Sequence, residues 1–127
     1  MGDEPANAEP HLPPPNSITY IQLPADEVER AAAFYAAVFG WTIRRNDEHV
    51  SFEDAGGHVS GAWEPGREPS RTPGILPYVY VDDVDTAVAS ILAHGGDIVR
   101  QPHAEGGLRV ATFRDPEGNV LGIWQVT

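Results

Sequence analysis

The sequence contains no cysteine and a single methionine. Disulfides, thiolate metal sites and cysteine nucleophiles are therefore all excluded. Basic residues are also scarce: eight lysines and arginines stand against nineteen aspartates and glutamates, a formal charge of -11. A field of that sign repels phosphate backbones and anionic lipid headgroups, so neither nucleic acid nor a membrane surface is expected as a partner. Residues 1–15 carry Asp3, Glu4 and Glu9 but no basic segment and no apolar run, so no secretory signal is expected there. Four of the last six residues of this tail are proline, and it holds too few large side chains to offset its ordering entropy. It reads as a disordered acidic tail, and the cysteine-free chain is compatible with the cytoplasm.

What remains is 127 residues with 41% apolar content, enough for one domain with a sizeable core over residues 16–127. Residues 17–23 are rich in β-branched and aromatic side chains and read as a strand. Asp26 followed three positions on by Glu29 has the form of a capping box opening a helix. Val28, Ala31, Ala32, Tyr35, Val38 and Phe39 then fall on one helical face, and Gly40 ends it. Three short strands are expected over 41–46, 49–53 and 58–63. A proline- and glycine-rich linker, 64–75, follows. The same order then returns: a strand over 77–81, a helix with Val84, Ala87, Val88, Ile91 and Leu92 on one face, and strands over 97–101, 109–113 and 120–125.

The repetition is also literal. Asp26-Glu27-Val28-Glu29 is echoed by Asp82-Asp83-Val84-Asp85, 56 residues later. Residues 50–63 align without a gap on 111–124, matching at Phe52/Phe113, Asp54/Asp115, Gly57/Gly118, Val59/Val120, Gly61/Gly122 and Trp63/Trp124. Chance gives about one match in such a stretch. The extra residues of the second copy fit a loop over 102–107. The fold class is thus α+β, two tandem βαβββ modules (16–63 and 76–127) forming a curled mixed sheet, with a shared cleft where the uncovered faces meet.

The strand, the Asp-rich helix start, the run Glu29-Arg30-Ala31-Ala32-Ala33-Phe34-Tyr35, the Phe39-Gly40-Trp41 exit and the Asp115-Pro116-Glu117-Gly118 turn together resemble the vicinal oxygen chelate superfamily. That superfamily includes glyoxalase I, extradiol dioxygenases, fosfomycin-modifying enzymes and bleomycin-binding resistance proteins. The resemblance spans nearly everything outside the tail and implies a homodimer. It also implies four strand positions that hold a divalent metal in the enzymes, which fall here on Tyr20, Gly61, Leu76 and Gly122. None is an ordinary ligand, so no metal and no cofactor are expected. The two glycines are expected to leave room for something larger than an ion.

Strand alternation places Tyr20 and Gln22 on the cleft side with Gly61 and Trp63, and Leu76 and Tyr78 there with Gly122 and Trp124. Rings beside a few polar tips suit a flat organic ligand. For the tryptophans, packing within the core is an equal alternative. Arg109 is a candidate for a ligand carboxylate, although pairing with an acidic side chain is the plainer role. Asp54 and Asp115 read as turn-capping carboxylates rather than acids. Two functions stay open. The first is metal-independent binding of an organic small molecule in the cleft, for drug or metabolite sequestration. The second is an enzyme of lyase, isomerase or dioxygenase type, using unusual metal ligands or metal-free acid-base catalysis by Tyr20, Tyr78 or a histidine.

Overall fold

The computed structural model describes residues 13–127, so most of the expected disordered tail lies outside the described residues. The first module comprises β1 (Tyr20–Pro24), α1 (Val28–Phe39), β2 (Thr42–Arg45), β3 (Val50–Glu53) and β4 (Ser60–Glu64). The second comprises β5 (Tyr78–Tyr80), α2 (Val84–Ala93), β6 (Asp97–Glu105), β7 (Leu108–Arg114) and β8 (Val120–Val126). Each folds into a four-stranded sheet, in the orders β1-β4-β3-β2 and β5-β8-β7-β6. The first strand of each module runs parallel to the last, which requires the helical crossover, and the remaining neighbours are antiparallel. The architecture is α+β with two tandem modules. No helix among the described residues is long and apolar enough to cross a membrane.

Both helices cover one face of their own sheet, but α1 does more. Besides Ala31, Ala32 and Tyr35 it buries Phe34, whose ring lies 6.1 Å from Phe113 of the second module. A single-sheet helix would leave that side exposed. Here the second module covers it, so α1 forms the seam between the two halves.

The start of α1 departs from the expected capping box. Glu27 is the N-cap and its side chain makes no capping bond. Asp26 instead accepts the backbone N–H of Gly66 in the linker (2.9 Å), while Glu29 pairs with Arg45 on β2 (2.7 Å). The carboxylate at the helix start comes from Glu117, in the turn between β7 and β8. It accepts the N–H groups of Asp26 and Glu27, both at 3.0 Å, and the Nε of Arg30 at 2.7 Å. A negative group at a helix N-terminus is stabilising wherever it comes from in the chain.

The same turn is tied to the body of the first module. Asp115 is 3% exposed and accepts the N–H groups of Glu117 and Asn119, as a turn-capping carboxylate should. Its other oxygen accepts the phenol of Tyr35 at 2.7 Å. Asn119 donates to the Pro24 carbonyl and accepts from the Ser70 N–H, which pins the linker. Burial raises the Asp115 carboxyl above its usual range, against the lowering effect of the bonds from Tyr35 and Asn119. Burial also pushes the Tyr35 phenol well up, helped by the Asp115 charge. A tyrosine held neutral in the folded state stabilises it fully below its unfolded pKa. That stability is lost as the unfolded phenol ionises above about pH 10. Tyr35→Phe is therefore expected to flatten the fall in stability between about pH 10 and 11.5, read as denaturation midpoints across that range. An unchanged alkaline slope would disprove this linkage.

The loop expected over 102–107 is largely strand. β6 runs on to Glu105 and turns at Gly106-Gly107, with Gly106 at φ 60. The added residues lengthen the hairpin, and its register shifts twice, between Ile98 and Arg100 and between Arg100 and His103. An antiparallel hairpin with a glycine turn satisfies backbone groups that an irregular loop would leave to water.

Candidate functional site

Which side chains reach the uncovered face of each sheet depends on register. Tyr20 pairs with Ser60 and Gln22 with Ala62, so these four share the open face of the first sheet. Gly61 and Trp63 pair with Ile21 and Leu23 and point towards the helices. In the second module the parity is opposite: Tyr78 pairs with Gly122 and Tyr80 with Trp124, all on the open face.

The ungapped alignment of 50–63 with 111–124 therefore fails beyond its midpoint. Phe52 pairs with Gly61, whereas its counterpart Phe113 pairs with Leu121. The turn after β3 closes between Asp54 and Val59, and that after β7 between Asp115 and Asn119. The first turn thus holds one more residue. In β4 and β8 the structural equivalents are Gly61 with Leu121, Ala62 with Gly122 and Trp63 with Ile123. A slip of one residue moves every side chain to the other face.

Trp63 is accordingly a core residue, 2% exposed, with its ring 4.9 Å from Phe52 and 5.9 Å from Tyr35. Gly61 does not open space for a ligand: an added Cβ would collide with the Ile21 carbonyl oxygen and the Phe52 ring. Gly122 does lie on the open face, but the Tyr78 ring lies across it and occupies the space a side chain would take. Arg109 pairs with Gln125, faces the helix side and bonds Asp85 of α2 at 3.0 Å, so the acidic partner holds it away from the cleft. Leu76 is partly buried in the segment leading into β5.

The structure thus places Tyr20 and Gln22 on one open face and Tyr78, Gly122 and Trp124 on the other. Tyr80, which alternation alone could have placed beside Tyr78, meets Trp124 edge-on at 4.8 Å. The three tyrosines Tyr20, Tyr78 and Tyr80 are 56%, 46% and 56% exposed, an unusual amount of ring surface to leave in water. On the first sheet this face forms a cavity of about 520 Å³ lined only by first-module residues.

The faces are more charged than expected. Arg44 on β2 and Glu53 on β3 form an ion pair at 2.7 Å on the floor of the first cavity, and Arg67 of the linker donates to Gln22 at 2.6 Å. In the second sheet His103 pairs with Val110, which pairs with Trp124, so the imidazole shares their face. Its Nε2 lies 2.9 Å from the Glu105 carboxylate. Reading parity only on the first and last strands of each module missed these groups, because they come from β2, β3 and β6 and, for Arg67, from the linker.

At the four positions that the resemblance implied, Tyr20 offers a phenol and Leu76 and Gly122 offer no side-chain donor, while Gly61 points towards the helices and the register puts Ala62, also without a donor, in its place opposite Gly122. Among the described residues, no group of three or more His, Cys, Asp or Glu converges as a metal site.

Known proteins agree with this architecture. The antibiotic binding protein TnmS3 from Streptomyces sp. CB03234 superposes with a TM-score of 0.69 at 25% identity, covering 92% of this chain and all of that one. The fosfomycin resistance protein FosX from Mesorhizobium loti superposes with a TM-score of 0.70 at 17% identity, covering 88% and 93% of the two chains. The anthracycline biosynthesis protein DnrV of Streptomyces peucetius is 25% identical over 130 residues, covering 87% of this chain and 47% of that protein. The chain thus spans about half the length of this curated relative. The sequence pattern of the Glyoxalase/Bleomycin resistance protein/Dioxygenase superfamily matches residues 17–123, and the chain belongs to that superfamily.

Proposed function

We propose that the protein binds an organic small molecule without a metal, for sequestration rather than chemistry, in a cleft completed by a second copy of the chain. The observation that carries this reading is the ring surface on the open faces: Tyr20 on the first sheet, and Tyr78 and Tyr80 next to a half-buried Trp124 on the second, stay exposed and belong to no core cluster among the described residues. Contacts between the modules run through α1 and the turn after β7, not through the open faces. A homodimer that brings the first sheet of one copy over the second sheet of the other would cover both. Aromatic walls with a polar floor at Gln22, Ser51 and Arg44 suit a flat ligand with hydroxyl or carbonyl groups at its rim. The likeness to TnmS3, an antibiotic binding protein, supports the ligand class.

The expected result is a dimer by analytical ultracentrifugation, and quenching of tryptophan fluorescence on titration with an aromatic polyketide such as tetracycline or doxorubicin. Trp124→Ala should weaken that binding several-fold, since ring stacking contributes about 0.5–1.5 kcal/mol beyond area burial. Chelator should leave both affinity and melting temperature unchanged. A monomer, or binding that is lost with chelator and unaffected by Trp124→Ala, would refute the proposal.

A further inference from the structure

A second cavity lies in the seam between the modules. It has a volume of about 750 Å³, within the range of sites for drug-sized molecules. Its walls are apolar and come from both halves: Leu23, Phe39, Trp41 and Phe52 from the first, Val81 and Leu121 from the second. Ile21, Leu23 and Phe52 belong to the helix side of the first sheet, and Leu121 pairs with Phe113 on the helix side of the second. Tyr78 and Tyr80 of β5 line it as well, so it reaches the edge of the second open face, while Gln22 and Trp124 lie outside it. From α2 it is lined by the small side chains Thr86, Ala87 and Ser90.

The polar groups at this cavity are almost all of one sign. Asp54, Asp82 and Asp83 line it, and no lysine or arginine does; His58 is the only basic side chain there. Asp83 is committed to the start of α2, accepting the Thr86 hydroxyl at 2.7 Å and the Asp85 N–H. Asp82 makes no side-chain hydrogen bond or ion pair among the described residues. Asp54 uses one oxygen on the N–H groups of His58 and Val59, leaving the other without a partner among those residues. Two uncommitted carboxylate positions at an apolar cavity favour a guest that is itself apolar with one positive charge, and the chain's net charge of -11 reinforces the preference.

We propose that this seam cavity is a binding site for lipophilic monocations: an aromatic or alicyclic body packed against Phe39, Trp41 and Phe52, with a protonated amine or iminium at Asp82 and Asp54. The site needs residues of both modules but only one chain. It stands whether or not the open faces form the cleft proposed above.

Three dyes separate the possibilities by fluorescence titration of the full chain: cationic rhodamine 6G, uncharged Nile red and anionic anilinonaphthalene sulfonate. Rhodamine 6G is expected to bind most tightly and the sulfonate most weakly. Asp54→Asn/Asp82→Asn keeps the turn acceptor and should weaken rhodamine 6G about five-fold or more while leaving Nile red unchanged, and raised salt should act in the same direction. Ser90→Trp, which fills the cavity from α2, should abolish binding of both. Leu92→Ala, on the exposed side of α2 outside the cavity, should alter neither. Equal binding of all three dyes, full binding to the Ser90→Trp protein, or loss of the dye with Leu92→Ala would overturn the site. So would a dimer in which Ser90→Trp breaks the association, because a second copy would then be the occupant. The cleft proposal can fail in its own polyketide titration without changing any of these results.

Discussion

Trp63→Ala is expected to destabilise the protein by about 3–5 kcal/mol, the usual cost of emptying a large aromatic site in a core. For a domain of this size that is a fall in melting temperature on the order of 15 °C. The ring is 2% exposed and belongs to a continuous cluster with Tyr35, Trp41 and Phe52, so several neighbours lose contacts at once. Its Nε1 is buried without a hydrogen-bond partner among the described residues. Trp63→Phe gives up that unpaired N–H along with part of the ring and should cost much less than alanine. Trp124→Ala, half-buried on the open face, should cost far less still. Urea unfolding of the three variants measures the order directly. If Trp63→Ala unfolds at the same midpoint as the parent, the register assigned to β4 is wrong.

Glu117→Ala should have the second largest effect, about 2–3 kcal/mol, or on the order of 10 °C in melting temperature. The Glu117 side chain is 4% exposed and makes charge-assisted bonds to two backbone N–H groups at the start of α1 and to Arg30. Its removal leaves that helix end without its carboxylate acceptor, at the point where the second module grips the first. Most of the loss is assigned to the backbone bonds. Arg30 is 57% exposed, and an ion pair so open to water contributes little. Glu117→Gln keeps an acceptor and should recover part of the stability, whereas Arg30→Ala should cost under about 1 kcal/mol. The same loss on Arg30→Ala as on Glu117→Ala would show that the ion pair, not the helix start, is what matters.

These two residues mark where reading along the chain stopped being sufficient. The duplication, the α+β class, the apolar faces of the helices and the parity of β1 and β5 were all legible. Each follows from a local period: 3.6 residues for Ala31, Ala32 and Tyr35, and two for Tyr20 and Gln22. Asp54 and Asp115 were legible as turn caps for a similar reason, since an Asx turn is closed within a few residues.

Other features were settled by where distant segments meet. One extra residue in the turn between Asp54 and Val59 reverses the facing of Gly61 and Trp63. Six matched residues hide that difference, because similarity between copies is blind to a gap closed by chance identities. Phe34 packs in the core against Phe113 of the other module, and the carboxylate at the start of α1 comes from Glu117, far along the chain, while Asp26 turns to Gly66 in the linker. The cavity in the seam has the same origin, since Phe52 and Leu121 come from different modules. Local sequence sets which faces of each helix and strand are apolar, through the geometry of the backbone. Which apolar face meets which, and which carboxylates are left at an opening, depends on packing between the halves, and no period in the sequence encodes it.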